Sequence, residues 1–144
     1  MTARYADVAL RLALPEALQF AIPEELRGRV RPGQRVLVPL RGGRDVGYVV
    51  GLSDEPKVQA VRPIERLLDA EPQLPADVLE LILAVSRHYL APVGLVLRAA
   101  VPRSVHYEGT AQASAAPREV LVATVAVPVE EAETHLPALA RRAP

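Results

Sequence analysis

The sequence predicts an α+β fold, in which a small, twisted and mostly antiparallel barrel-like β-sheet is capped by a C-terminal helix and followed by a linker and a short strand–helix element. Two β-rich runs, 36–40 and 46–52, flank a polar, glycine-containing turn, which is typical of a β-hairpin. Alternating apolar residues over 5–14 indicate a strand with one buried face, and apolar residues at helical spacing over 75–90 indicate the helix.

The hairpin is the most distinctive stretch of the chain. Its turn, 41–45, reads RGGRD, and we expect Gly42 and Gly43 to supply the positive φ angles of a tight turn. Arg41 and Arg44 lie in the same turn, so the predicted hairpin carries a cationic tip. Arginine is also common in surface turns that need only to be solvated, and the turn alone leaves both interpretations open.

The other strands follow from apolar alternation and from the positions of proline. The strand 5–14 ends at Pro15, because proline has no N–H to donate to a strand ladder. A second short extended run, 17–22, also stops at a proline. The run 58–68 alternates like a strand, but Pro63 confines it to a sheet edge or a bulge.

The helical part of the chain begins where the apolar spacing changes. Pro75 suits the start of a helix, and Asp77 places a carboxylate in the first turn, where the helix dipole favours negative charge. Pro92 and Gly94 are expected to end this helix, and the run 95–100 to add a further helical turn or two.

These elements predict three parts. Residues 1–105 form the folded domain, and residues 106–117 form a linker because their small and polar side chains have little to bury. Residues 118–144 combine a strand, 118–127, with an acidic helix that starts at Pro128. Such a segment buries little surface by itself, so we expect it to lead toward a further domain that is missing from this chain.

Composition excludes several classes of protein. The 144 residues are 50% hydrophobic but include one Phe, four Tyr and no Trp, so the core must be aliphatic. The absence of Cys excludes a disulfide framework and thiolate metal sites. The histidines are scattered (His88, His106 and His135), so we expect no metal and no cofactor. No apolar run reaches membrane-spanning length and no signal-peptide pattern is present, which predicts a cytoplasmic setting and no membrane partner.

Positive charge is concentrated locally although the formal net charge is zero. Residues 27–44 contain six Arg and no acidic residue, whereas the remainder is acidic on balance. Because the guanidinium group makes forked contacts to phosphate oxygens, this stripe points to a phosphate-bearing partner. The neutral total argues against a protein that coats long stretches of duplex.

Catalytic motifs are absent from the sequence. It contains no GxxxxGK[ST] phosphate loop, no GxSxG, no HExxH and no Cys nucleophile. The adjacent carboxylates at 24–25 and 54–55 fit helix-start and turn positions, and neighbours in sequence seldom converge on one substrate. We therefore expect this chain not to be an enzyme itself.

Four short patterns occur in a fixed order, and together they cover roughly residues 5–105. They are G-x-R-V-x-V-P at Gly33–Pro39, G-x-V-V-x-x-S at Gly47–Ser53, L-L-D-x-E-P at Leu67–Pro72 and Y-x-x-P-x-G-x-V-L at Tyr89–Leu97. Their order and spacing resemble the N-terminal region of primosomal protein N′, the replication-restart helicase family PriA. The tail resembles the segment that leads into that family's winged-helix domain, and the ATPase domains would lie beyond residue 144.

The resemblance implies a binding site. In this family the N-terminal domain binds the 3′ end of the nascent leading strand at a stalled fork, and a small pocket receives the terminal base and its 3′-hydroxyl. The family's F-D-Y motif in that pocket corresponds to Leu18, Gln19 and Phe20. An amide thus replaces the acidic residue that hydrogen-bonds the base, and Leu18 removes a possible stacking face. Phe20 is interpreted as a core residue rather than a stacking platform.

Further positions carry over from the same resemblance. The loop that contributes backbone to the pocket corresponds to Arg41 and Gly42, with arginine where the family has glycine. The basic residue that faces the terminal nucleotide corresponds to Arg62. Together with the local charge, this predicts phosphate contacts from Arg44 and Arg35 as well as from Arg41 and Arg62.

The predicted function is that of a DNA-binding N-terminal fragment of a PriA-like replication-restart protein. Its partners would be forked or single-stranded DNA with a free 3′ end and, through the full-length chain, primosome proteins and single-stranded DNA-binding protein. The alternative is a protein-interaction barrel that docks another primosome or replisome component without end recognition, and a third possibility is a purely structural role. A DNA reader needs basic residues that converge on one concave site, whereas an interaction module exposes an apolar patch, for which Tyr48 or Leu52 would be suited.

Overall fold

Residues 3–102 are described by a computed structural model as an antiparallel five-stranded sheet with two helices. The strands are β1 (Tyr5–Leu10), β2 (Leu18–Ala21), β3 (Arg35–Leu40), β4 (Gly43–Ser53) and β5 (Arg66–Leu67), and the helices are α1 (Ala76–Tyr89) and α2 (Val93–Ala100). The predicted α+β class is confirmed. The predicted linker, 106–117, and the strand–helix segment, 118–144, lie outside the described residues.

The sheet has the order β2-β1-β4-β3-β5 and is not closed. A single isolated parallel bridge joins β2 to the chain ahead of β5, between Ala21 and Pro63. The amide of Ala21 donates to the carbonyl of Arg62, and the amide of Ile64 donates to the carbonyl of Ala21, each at 2.9 Å. The chain then turns away to pair with β3, where the amide of Glu65 donates to a β3 carbonyl. The strand predicted over 58–68 is therefore limited to Arg66–Leu67.

The β3–β4 hairpin is tighter than predicted. Leu40 lies opposite Gly43 in the register, so the turn consists of Arg41 and Gly42 alone. Gly42 has a φ of +88°, as the third position of a type II turn requires, whereas Gly43 belongs to β4. The expected five-residue turn is wrong, and Arg44 lies on the strand rather than at the tip.

The core has two parts, one on each face of the sheet. The inner cluster lies on one face and is aliphatic apart from one phenylalanine: Ala6, Val8, Leu10, Phe20, Ile22, Val30, Val36, Val38, Val49 and Ile64. The helix cluster joins the opposite face to α1 and α2: Ala9, Tyr48, Leu74, Leu79, Ile82, Val93, Leu97 and Val101. Because both faces of β3 are covered, its first four residues are all buried.

The two helices are separated by a left-handed residue. α1 ends at Tyr89 and is followed by Leu90, whose φ is +52° and whose amide donates to the carbonyl of Ser86. Gly94 was expected to end the first helix but lies inside α2, against β1. A Cβ atom at Gly94 would overlap the carbonyl oxygens of Leu10 and Leu12. The helix α2 therefore packs directly on the backbone at the end of β1. The strand β1 ends at Leu10 and not, as predicted from the sequence, at residue 14.

Candidate nucleic-acid interface

A cavity of about 640 Å³ opens at one end of the sheet. Its walls come from three places: the segment that leads into β2, the end of β3 with its turn, and the segment 57–62. The apolar lining includes Leu14, Leu18, Phe20, Pro39, Leu40 and Val58, and the polar lining includes Glu16, Gln19, Arg41, Lys57 and Arg62. The pocket therefore combines an apolar surface with several cationic side chains.

The structure brings together five of the six residues predicted for the 3′-end pocket. These are the consecutive residues Leu18, Gln19 and Phe20, together with Arg41 and Arg62 from two distant segments. The predicted sixth residue, Gly42, occupies the exposed hairpin turn next to Arg41 and does not line the cavity. Phe20 is only 4% exposed and belongs to the inner cluster, so it is mainly a core residue, whereas the Leu18 side chain is partly exposed.

A cation that sequence analysis missed also lines this pocket. Lys57 is the one lysine of the chain and lies in the polar stretch after β4. Its ammonium nitrogen lies 2.9 Å from Oδ1 of Asp7, and its side chain remains 59% exposed. Arg41, Lys57 and Arg62 thus face one cavity whose one acidic lining residue is Glu16. Nothing in the local sequence around Lys57 placed it beside β2, although a lone lysine among sixteen arginines was a visible signal.

The side chain of Gln19 makes three hydrogen bonds within the protein. Its Nε2 donates to Oγ of Ser53 at 2.9 Å and to the carbonyl of Glu55 at 3.1 Å. Its Oε1 accepts a hydrogen bond from the backbone amide of Lys57 at 2.6 Å. Both amide hydrogens are therefore occupied, and Gln19 ties the chain after β4 to β2.

The two residues predicted as additional phosphate contacts differ in accessibility. Arg44 is exposed, and its Nε lies 2.6 Å from Oε2 of Glu65. Arg35 requires a correction, because its side chain is 0% exposed and its guanidinium lies 2.6 Å from Oδ1 of Asp69. The hydrogen bond to Asp69, opposed by burial, raises the pKa of Arg35. A buried guanidinium held in this way has no access to a bound DNA strand, so Arg35 is not among the residues that contact phosphate.

The residues considered for a protein-interaction patch do not form one. Tyr48 is 0% exposed and belongs to the helix cluster, and burial raises the pKa of its phenol although nearby Arg35 and Arg11 oppose that shift. Leu52 is partly exposed. Within residues 3–102, no helix is long and apolar enough to cross a membrane. In the same part of the chain, no group of three or more His, Asp or Glu side chains is arranged to hold a metal ion.

Comparison with known proteins gives consistent matches. Residues 7–102 match the family described as 3′DNA-binding domain (3′BD) of PriA. A replication restart protein PriA of Chlamydia pneumoniae is 33% identical over 98 residues, which cover 68% of this chain and 13% of that protein. A second replication restart protein PriA, of Chlamydia muridarum (strain MoPn / Nigg), is 30% identical over 106 residues, with 68% and 14% covered. The chain thus spans only a small part of the length of these relatives.

Proposed function

The chain belongs to the PriA 3′DNA-binding domain family, and on this premise we propose that its pocket binds the 3′ end of a DNA strand. The domain is a DNA-binding domain and not the catalytic part of a helicase. At a stalled fork, the bound end would be that of the nascent leading strand. The terminal nucleotide would enter the cavity, and the preceding phosphates would pass its cationic rim.

The observation that carries this proposal is the convergence of cations on one concave site. Arg41 and Arg62 are 21 positions apart in the sequence, yet they line the same cavity together with Lys57. A reader of strand ends requires such convergence, whereas a protein-docking module requires an exposed apolar patch. Tyr48, which was considered for such a patch, is buried instead. The arrangement therefore favours DNA over the protein-interaction alternative.

The volume and the lining of the cavity are also suited to a nucleotide. The cavity volume of about 640 Å³ lies within the range of roughly 300–1,000 Å³ that small-molecule sites occupy. The partly exposed Leu18 and the exposed Val58 offer apolar contact to a base, although neither provides an aromatic stacking face. Arg41 and Arg62 can each present a forked pair of donors to phosphate oxygens. Arg44, on the adjacent strand, would extend this contact beyond the cavity.

Replication restart itself is proposed as an activity of a longer protein that contains this domain. Because the chain spans 13% and 14% of its two PriA relatives, replication restart would depend on other domains of a longer protein. Primosome proteins and single-stranded DNA-binding protein are proposed partners of that longer protein, in a cytoplasmic setting. The present domain would supply recognition of the DNA end.

Fluorescence anisotropy tests the proposal with two labelled single strands, one ending in a 3′-hydroxyl and the other in a 3′-phosphate. We expect tighter binding of the hydroxyl strand, since the pocket would have to accommodate the added phosphate group. Arg62→Ala should weaken binding and reduce the slope of log affinity against log salt by about 0.7, the value for one phosphate contact to a single strand. Arg87→Ala is the matched control, because Arg87 is an exposed cation on α1 that does not line the cavity.

Each other outcome has a defined meaning. Equal binding of both strands would show that the pocket does not read ends and that its cations provide generic DNA contact. A salt slope near zero would contradict phosphate contact. Absence of binding to either strand at low salt would overturn the proposal and favour protein docking.

A further inference from the structure

The loop that follows β4 is held against β2 by a single side chain. We define the β4 loop as residues 54–57. Gln19 donates to the carbonyl of Glu55 within this loop and to Oγ of Ser53 at its start, and it accepts from the amide of Lys57 at its end. Ser53 Oγ makes a longer contact, at 3.3 Å, with the Glu55 carbonyl. The loop therefore has a defined position beside the pocket rather than being fastened only by its ends.

The side chain of Lys57 is held by a second anchor. Asp7 lies opposite Gln19 in the β1–β2 register, so the two residues that contact Lys57 are cross-strand neighbours. The Asp7 side chain is only 18% exposed, and its Oδ1 lies 2.9 Å from the Lys57 ammonium. A β-bulge between β1 and β4 occurs between Asp7 and Val8, and such irregularities redirect neighbouring side chains. Backbone and side chain of Lys57 are thus each held by a different residue.

We propose that Lys57 is a DNA-binding residue of this pocket and that Gln19 and Asp7 are positioning residues that act through it. This inference rests on the function proposed above and assigns a phosphate contact to Lys57. An ammonium group has three donors, and the contact with Asp7 uses one of them, which leaves donors for phosphate oxygens.

The same geometry assigns Gln19 a role other than reading a base. Both of its amide hydrogens are donated within the protein, so a base edge would have to displace existing bonds to gain a donor. Recognition through Gln19 would then come from the position of the β4 loop and not from direct contact. The terminal nucleotide would meet Lys57 and Arg62 on the wall formed by 57–62 and Arg41 on the wall formed by the end of β3 and its turn.

A double-mutant cycle with the 144-residue chain tests this proposal. The variants are Lys57→Ala, Gln19→Ala and the double variant, with Lys57→Arg as a charge-preserving variant and Arg87→Ala as the control. Lys57→Ala keeps the backbone amide that bonds to Gln19, so it removes the ammonium while leaving the loop anchor in place. The probe is the labelled single strand with a 3′-hydroxyl, titrated at several salt concentrations.

Lys57→Ala should lower the slope of log affinity against log salt by about 0.7. The ratio of wild-type affinity to variant affinity should therefore fall by roughly 2.6-fold between about 50 and 200 mM salt. Lys57→Arg should restore most of the slope. Gln19→Ala should weaken binding in the wild-type background but have little further effect in the Lys57→Ala background. A purely structural or base-reading role would instead produce the same loss in both backgrounds.

Two failures can be distinguished. If wild type binds the strand but Lys57→Ala matches Arg87→Ala in affinity and slope, the role of Lys57 is overturned while the proposed function stands. If Gln19→Ala costs the same in both backgrounds, its positioning role is overturned. If wild type itself fails to bind DNA, the proposed function and this inference fail together.

Discussion

Replacement of Asp69 by Asn tests whether the buried pair with Arg35 is a structural element of the domain. Asp69 accepts hydrogen bonds from the backbone amide of Arg35 at 2.8 Å, from its Nε at 3.0 Å and from its Nη2 at 2.6 Å. The two side chains are 0% and 1% exposed. Asn has nearly the same shape as Asp but no charge, so the substitution leaves a buried guanidinium without its counter-ion.

The expected cost is large for a domain of this size. Removal of one partner from a buried ion pair costs roughly 3–5 kcal/mol, against a total free energy of unfolding of about 5–15 kcal/mol. Arg44 and Glu65 offer a matched comparison, because their N–O distance is also 2.6 Å but their side chains are 67% and 30% exposed. Glu65→Gln should therefore cost only about 0–1 kcal/mol. Burial and not distance accounts for the difference.

Urea denaturation followed by circular dichroism measures both free energies of unfolding. Asp69→Asn should lower the denaturation midpoint strongly, with a fall in melting temperature of more than about 10 °C, whereas Glu65→Gln should shift both only slightly. Equal costs for the two substitutions would refute the reasoning. Where Asp69→Asn remains folded, its slope of log DNA affinity against log salt should match that of wild type, because neither Arg35 nor Asp69 is proposed to contact DNA.

Two further predictions concern packing and pH. Gly94→Ala should destabilise the domain by about 1–3 kcal/mol despite the higher helix propensity of Ala, because the added methyl group overlaps the carbonyl oxygens of Leu10 and Leu12. Gly43→Ala, with no described atom within 4 Å of its Cβ position, is the control in thermal denaturation. Burial raises the pKa of Tyr48, so its contribution to stability is complete below the unfolded value of about 10 and declines as pH rises beyond it. The melting temperature of wild type should then fall more steeply above about pH 10 than that of Tyr48→Phe, and parallel curves would contradict this assignment.

Prediction from sequence was most successful where structure depends on neighbouring residues. Helical spacing and Pro75 located α1 to within one residue at each end, because a helix is built from contacts three and four positions apart. The order of short patterns led to the family resemblance, which supplied five residues that line one cavity, and their role in DNA binding stays a prediction. The hairpin was found, but its length was not, since only the register shows that Gly43 pairs with Leu40.

Prediction was weakest for charged residues. The six arginines of 27–44 have similar surroundings in sequence, yet Arg35 is buried and Arg41 is exposed at a pocket. The partner of Arg35 is 34 positions away, and the residue that fastens the amide of Lys57 is 38 positions away. Local pattern contains no information about such contacts, so Lys57 was missed and Arg35 was assigned to DNA.

By itself, the sequence determined the fold class, the kind of each main element, the aliphatic core and the family, since these depend on periodicity, proline positions and short ordered patterns. Tertiary structure alone decided which cations reach the cavity, that Gln19 bonds inward to the β4 loop, and that the sheet stays open. The physical reason is that burial and hydrogen bonding of a polar side chain depend on which distant segment folds against it.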